Sequence, residues 1–308
     1  MEIISQTTDF HLLKDTAVAI GKFDGLHIGH QKLLDQLLSQ KKNGLAVCIF
    51  TFEPAPAVLF GFSDGKELTV REEKRILFER MGVDILIEFP LDKATAAIKP
   101  ETFLKEILVK RMKMRYLVAG RDLSFGAGGG GNIELINKVI DQYGFRTEII
   151  EKVFYQGVEV SSTYIRSQIE SGNMETVRNL LGAPYTIMGK VMHGKRLGRI
   201  LGMPTVNLVP ADNKLLPPCG VYYSQVRYRG KLYPSISNVG YKPTVTEEKL
   251  LGVESYLYNF QQEIYGDQIE VELLSFKRPE YRFENIDRLK AQLAMDISAG
   301  RDWADHNF

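Results

Sequence analysis

The sequence predicts an α/β first half built on a parallel sheet, followed by an all-β second half closed by one helix. Three observations carry this expectation. Apolar strand patterns alternate with helical patterns through the first 171 residues. After residue 185 the segments become short, β-rich and separated by Gly and Pro turns. The chain has 308 residues, long for one ordinary domain and comfortable for two.

Thr16–Gly21 reads as a short apolar strand. Leu33, Leu34, Leu37 and Leu38 share one face of a helix over Gly29–Lys42. Leu45–Phe52, which holds Cys48, is a buried-type strand. Then come helix Arg71–Met81, strand Ile85–Phe89, helix Glu101–Lys113, strand Arg115–Ala119, helix Ile133–Tyr143, strand Arg146–Val153 and helix Thr163–Ser171. That succession implies a parallel sheet covered on both faces. Beyond it, strands are expected at Tyr185–Met192, Gly220–Tyr228, Lys231–Val239, Val253–Phe260 and Gln268–Phe276, with a last helix over Ile286–Ser298. Their spacing suits an antiparallel barrel or sandwich. The boundary falls near Gly182-Ala183-Pro184, giving domains 1–183 and 184–308.

The formal net charge is +1, so charge gives no reason to expect nucleic acid or membrane as partner. Small molecules are the expected partners, and any self-association is expected to be weak. No basic stretch followed by an apolar block opens the chain, and no run is long enough to span a bilayer. A cytoplasmic location is expected, with no disulfide between Cys48 and Cys219.

The first strand runs into Gly21-Lys22-Phe23-Asp24-Gly25-Leu26-His27-Ile28-Gly29-His30. Gly21 and Gly25 permit a tight turn whose backbone approaches a ligand closely. His27 and His30 lie three apart at a helix start and share a face. With the helix N-terminus, two imidazoles suit a phosphate that gains charge during displacement; a lone histidine there would read as a surface residue. Ser161-Ser162-Thr163-Tyr164-Ile165-Arg166 marks a second helix start. It is either an ordinary cap with a solvated arginine, or a second set of phosphate donors. The run Gly126–Gly131 formally matches G-x-G-x-x-G, and Glu151 lies twenty residues beyond its Gly131. Five residues separate it from the preceding strand end at Gly120, so it reads as a mobile flap rather than a dinucleotide turn.

In the second half, Gly194, Arg196, Gly198 and Gly202 belong to a basic, glycine-rich stretch ahead of Met203-Pro204-Thr205-Val206-Asn207. This suits a loop over phosphates, with Thr205 and Asn207 offering oxygens to Mg²⁺. No G-x-x-x-x-G-K-[ST] occurs, which excludes a Walker-type kinase fold. Glu254 interrupts an apolar β pattern and is either a barrel-rim charge or a general base. Arg278 and Glu280 read as surface or site-rim charges.

Gly21–His30, Thr51-Phe52-Glu53-Pro54, Asp122-Leu123-Ser124-Phe125-Gly126 and Ser161–Arg166 resemble the adenylyltransferase half of the prokaryotic bifunctional riboflavin kinase/FMN adenylyltransferase (FAD synthetase) family. The glycine-rich loop, Pro204–Asn207, Asn238–Thr244 and Glu254 resemble its kinase module, in the same order. The resemblance implies a Rossmann-like nucleotidylyltransferase domain followed by a six-stranded flavokinase barrel with a C-terminal helix. It implies ATP as co-substrate for both steps, Mg²⁺ as cofactor, and riboflavin, FMN and FAD as substrates or products. His27, His30, Ser162, Thr163 and Arg166 would serve the ATP phosphates, with Gly21, Asp24 and Gly25 in the same site. Asp122 and Phe125 would line the flavin side. In the kinase, Gly194, Arg196, Gly198, Gly202, Pro204 and Asn238 would bind substrates, Thr205 and Asn207 would hold Mg²⁺, and Glu254 would be the base for the ribityl hydroxyl. The chain departs from the family at Leu123, Ser124 and Gly129, where aromatic or basic residues are usual. It also departs at Met203, Val206, Tyr256 and Asn259. The alternatives are a kinase with an inactive nucleotide-binding first half, a flavin-sensing regulator, and a nicotinamide enzyme. The last leaves the histidines and the whole second half unexplained.

Overall fold

The computed structural model describes residues 1–193, 202–242 and 250–307. The chain divides into two compact units, Met1–Ser161 and Ser162–Phe308.

The first unit is built on six parallel strands: β1 (Glu2–Ser5), β2 (Thr16–Ile20), β3 (Ala46–Glu53), β4 (Ile85–Pro90), β5 (Met114–Gly120) and β6 (Arg146–Ile150). Their spatial order is β1-β4-β3-β2-β5-β6. All five residues of β2 are buried, and alternation along it divides two cores. Val18 and Ile20 join Phe50, Phe89 and Phe103 on one face. Ala17 and Ala19 face Leu33, Leu34, Leu37 and Phe78 on the other. Val18 and Ile20 are its larger apolar side chains, each contributing about 1.5–3 kcal/mol when buried. From β2 the chain crosses to β3 on one side, while β5 pairs on the other. The carboxyl ends of β2 and β5 therefore form a topological switch point, where open α/β sheets bind ligands.

The expected elements of the first unit recur, most with shifted ends. The first helix is Ile28–Leu38, continued by a 3₁₀ turn over Ser39–Asn43. Expected as an ordinary helix, Phe103–Arg111 is π-helical. Phe103, Leu104, Ile107 and Leu108 fall on one buried face under either winding, so the pattern could not separate them. β1 was not anticipated, because four residues carry too little periodicity. A short ribbon of β7 (Phe154–Tyr155) and β8 (Val158–Glu159) ends the unit.

The second unit begins with helices Ser162–Glu170 and Met174–Leu181. The second helix was missed, although Met174, Val177, Leu180 and Leu181 form a buried stripe. It packs on β14 (Gln268–Pro279) and β9 (Tyr185–Met192). With β10 (Val206–Leu208), β11 (Gly220–Tyr228), β12 (Lys231–Lys242) and β13 (Leu250–Leu257), these close a six-stranded antiparallel barrel in the order β10-β13-β12-β11-β14-β9. β10 has three residues, too few to read from pattern. Inside the barrel, the hydroxyls of Ser224, Ser235, Ser237 and Ser255 bond one another at 2.7–2.8 Å, so each buried polar atom is satisfied. The last helix runs from Ile286 to Asn307, well past the expected Ser298. It is fastened by Trp303, which stacks on Tyr223 with ring centroids 5.0 Å apart. Asp296 fastens it too: 2% exposed, it takes hydrogen bonds from Lys277 and Arg278 on β14.

Candidate functional site

At the switch point of the first unit, β2 enters a loop under backbone constraint. Phe23 (φ 50°), Gly25 (φ 91°) and Leu26 (φ 46°) all have positive φ. For Phe and Leu that conformation is unfavourable, and burial holds it: they are 1% and 3% exposed. Phe23 folds its ring over Gly21, where a Cβ would lie 3.1 Å from the ring. The loop delivers His27 as the N-cap of Ile28–Leu38, its Nδ1 accepting from the His30 backbone N–H at 3.3 Å. The ring proton is therefore on Nε2. His27 and His30 stack with centroids 3.7 Å apart. Gly29 gives the ring room, since a Cβ there would sit 3.1 Å from His27 Nδ1. Burial lowers the His27 pKa to about 4, against the opposing pull of Asp24 and Asp122. Burial, with the neighbouring His27, lowers His30 to about 3. Both rings are thus neutral near pH 7. His30 Nδ1 is buried with no hydrogen-bond partner among the described residues.

Asp24 is turned toward the protein. It is 1% exposed, and its Oδ1 accepts from the backbone of Leu68 at 2.8 Å and Thr69 at 3.2 Å. Asp122, just past β5, is exposed. Phe125 is a core residue, 2% exposed, 5.6 Å from Phe103 and lying against Gly131. Its ring packs beneath the loop between Phe103 and Gly131. The run Gly126–Gly131 closes on itself. Phe125 and Gly131 exchange both backbone hydrogen bonds, and helix Ile133–Tyr143 starts separately from its Asn132 cap. The glycines therefore do not form a dinucleotide turn. Ser124 Oγ donates to Gly129 O at 3.3 Å, and a Cβ at Gly129 would lie 2.5 Å from Ser124 Oγ. The two departures from the family pattern fit each other.

Ser162 opens the first helix of the second unit, with Thr163 exposed and Arg166 half-buried one turn later. Ser162 and Arg166 lie on one helix face.

On the barrel, one row of residues crosses five strands. Asn207 on β10 is opposite Glu254 on β13, which is opposite Asn238 on β12. Asn238 faces Val221 on β11, and Val221 faces Arg278 on β14. Directly opposed residues point to the same face. Apart from Asn207, these line a cleft of about 290 Å³ between barrel and last helix, together with Thr205, Tyr256, Glu280 and Leu293. A second cleft of about 280 Å³ is bounded by Val191, Pro204, Phe260 and Tyr265. Thr205 borders both. Arg278 and Glu280, expected as surface or site-rim charges, both line the cleft; Asp296, one of four aspartates in the last helix, was not anticipated. Gly202 and Pro204 are exposed. Gly194, Arg196 and Gly198 lie outside the described residues. Among the described residues no three of His, Cys, Asp and Glu gather as a metal cluster. Thr205 and Asn207 instead offer neutral oxygens beside one carboxylate.

The family model for FAD synthetase matches residues 9–164, and that for riboflavin kinase matches residues 181–304. The chain is 34% identical over 295 residues to a bifunctional riboflavin kinase/FMN adenylyltransferase from Listeria monocytogenes, covering 94% of this chain and 93% of that one. It is 36% identical over 290 residues to the protein so named from Escherichia coli, covering 93% and 92%. The corresponding figures for the one from Bacillus subtilis are 33% over 307 residues, with 96% of each covered. A crystal structure from Streptococcus pneumoniae described as a macrolide-efflux protein superposes with a TM-score of 0.84 at 29% identity, covering 98% of both chains. Among the described residues here, no helix is long and apolar enough to cross a membrane.

Proposed function

The chain belongs to the bifunctional riboflavin kinase/FMN adenylyltransferase family, and from that premise we propose how its residues divide the two reactions. The barrel phosphorylates riboflavin, and the parallel-sheet unit adenylylates FMN to FAD with release of pyrophosphate. The observation that carries the kinase assignment is Glu254 between Asn207 and Asn238 in the wall of a cleft. Riboflavin occupies that cleft, and Glu254 accepts the proton of the attacking ribityl hydroxyl. ATP occupies the neighbouring cleft, so Thr205 stands where the γ-phosphoryl group passes between them. Thr205 and Asn207 fit Mg²⁺, which takes few protein oxygens and completes its shell with phosphates and water. When bound, it offsets negative charge on the transferring group. Gly194, Arg196, Gly198, Gly202 and Pro204 are assigned to the substrates by their place in the motif.

For adenylylation, an FMN phosphate oxygen attacks the α-phosphate of ATP directly. Neutral His27 donates from Nε2, and His30 supports it by stacking and donates to the same phosphates. Burial lowers the pKa of both rings, so they meet the incoming phosphates as neutral hydrogen-bond donors. Ser162, Thr163 and Arg166 are assigned to the ATP phosphates by their motif, and Asp122 to the flavin side. Asp24, with Gly21 and Gly25, shapes the loop. His30→Ala tests the division of labour: FAD formation should fall by about 10²–10³-fold, with FMN formation within twofold of wild type. Equal loss of both activities would contradict two separate sites.

A further inference from the structure

Glu280 lies just beyond β14, at the mouth of the cleft that holds Glu254. Its Oε1 accepts a hydrogen bond from Asn238 Nδ2 at 2.8 Å. The chain makes room for this contact at Gly240, two residues along β12 and so on the same face as Asn238. A Cβ on Gly240 would lie 2.0 Å from Glu280 Oε1 and 3.0 Å from Asn238 Nδ2. The carboxylate therefore occupies the volume of the missing side chain, against the amide.

We infer that Glu280 is a positioning residue for riboflavin phosphorylation: it fixes the Asn238 carboxamide so that Oδ1, rather than Nδ2, is presented beside Glu254. An ionised carboxylate accepts and does not donate, so only the NH₂ end of Asn238 can face Glu280. The amide oxygen is left on the other side of the group. Asn238 and Glu254 are directly opposed across β12 and β13, so two acceptors stand next to each other in the cleft wall. A pair of adjacent acceptors selects a ligand with adjacent donors, which is the chemistry of vicinal hydroxyls on a polyol chain. Glu254 takes the hydroxyl that reacts, and Asn238 takes a neighbouring hydroxyl that does not. An interaction with a non-reacting hydroxyl acts on substrate capture more than on the chemical step. The role rests on the kinase reading above.

Steady-state kinase kinetics of the full chain test it. Glu280→Ala should raise KM for riboflavin about tenfold, the effect of one hydrogen bond to a charged group. kcat and KM for Mg²⁺-ATP should stay within about twofold. Glu280→Gln keeps an acceptor oxygen and should restore KM to within about threefold of wild type. Gly240→Ala displaces the carboxylate while keeping both side chains of the pair, so it should impair riboflavin KM at least as much as Glu280→Ala. In an Asn238→Ala background, Glu280→Ala should add nothing further. Unchanged riboflavin KM in Glu280→Ala would overturn the inference while leaving the kinase reading intact. So would a Gln variant as impaired as Ala, or full additivity with Asn238→Ala. Absence of FMN formation by the wild type would sink both.

Discussion

Glu254 stands directly opposite Asn207 in the antiparallel pairing of β13 with β10. The proposed base and a proposed Mg²⁺ ligand are thus held on one face at the separation of a strand pair, by backbone hydrogen bonds rather than by a loop. Glu254→Gln preserves shape and removes the proton acceptor. FMN formation should fall by roughly 10²–10⁴-fold, with riboflavin binding retained. Full kinase activity in this variant would remove Glu254 from the mechanism.

Gly29 is the less obvious member of the His27-Ile28-Gly29-His30 motif. Its missing side chain is filled by the His27 ring. Gly29→Ala should push that ring off its cap position and lower FAD formation on the order of 10²-fold, as for a lost oxyanion donor. FMN formation by the same protein should be unaffected. An Ala variant with normal adenylylation would show that the ring position is not required.

Burial of the two histidines gives the first unit an acid limit. In the unfolded chain each takes up a proton near pH 6.5. In the folded state they resist protonation down to about 4 for His27 and about 3 for His30. The unfolded state therefore binds more protons below pH 6.5, and stability falls as pH drops through that window; above pH 6.5 it is fully present. Each histidine costs about 1.4 kcal/mol at pH 5.5. Thermal melts at pH 7.5 and 5.5 should show the loss, and His30→Gln should show a smaller one. An identical loss in the variant would count against a neutral buried His30.

Much of this was legible in the sequence, and the gaps have physical causes. Helices Arg71–Met81 and Ile133–Tyr143 and strands Tyr185–Met192 and Gly220–Tyr228 match their expected spans, the two helices because left-handed glycines, Gly82 and Gly144, stop them. β1 and β10, at four and three residues, hold too few side chains for any pattern. His27, Gly29 and His30 were readable because they are adjacent in the chain. The row from Asn207 to Arg278 was not, since β-sheet register alone joins five distant segments. The burial of Phe125 is a tertiary property that no short motif encodes.

The compact units divide at Ser161 and Ser162, ahead of the composition shift at Gly182–Pro184. Helix Met174–Leu181 covers β9 and β14 with four buried side chains, each worth about 1.5–3 kcal/mol. We propose that the kinase domain folds alone, and that this helix belongs to its stable form. A fragment Ser162–Phe308 should phosphorylate riboflavin and melt at a higher temperature than Ala183–Phe308. Equal melting temperatures would show the helix to be dispensable, and inactivity of both fragments would argue against independent modules.

The central claim is that one chain carries both flavin reactions, and product chromatography tests it most directly. Purified protein is incubated with riboflavin, ATP and Mg²⁺, and the flavins are resolved over time. FMN should appear first and FAD after it. The atypical pair of Ser124 and Gly129, with Leu123 buried beside them, leaves the phosphate motifs whole, so FAD formation should show a high KM for FMN. FMN without FAD, even at saturating FMN and Mg²⁺-ATP, would contradict the account and leave a kinase alone.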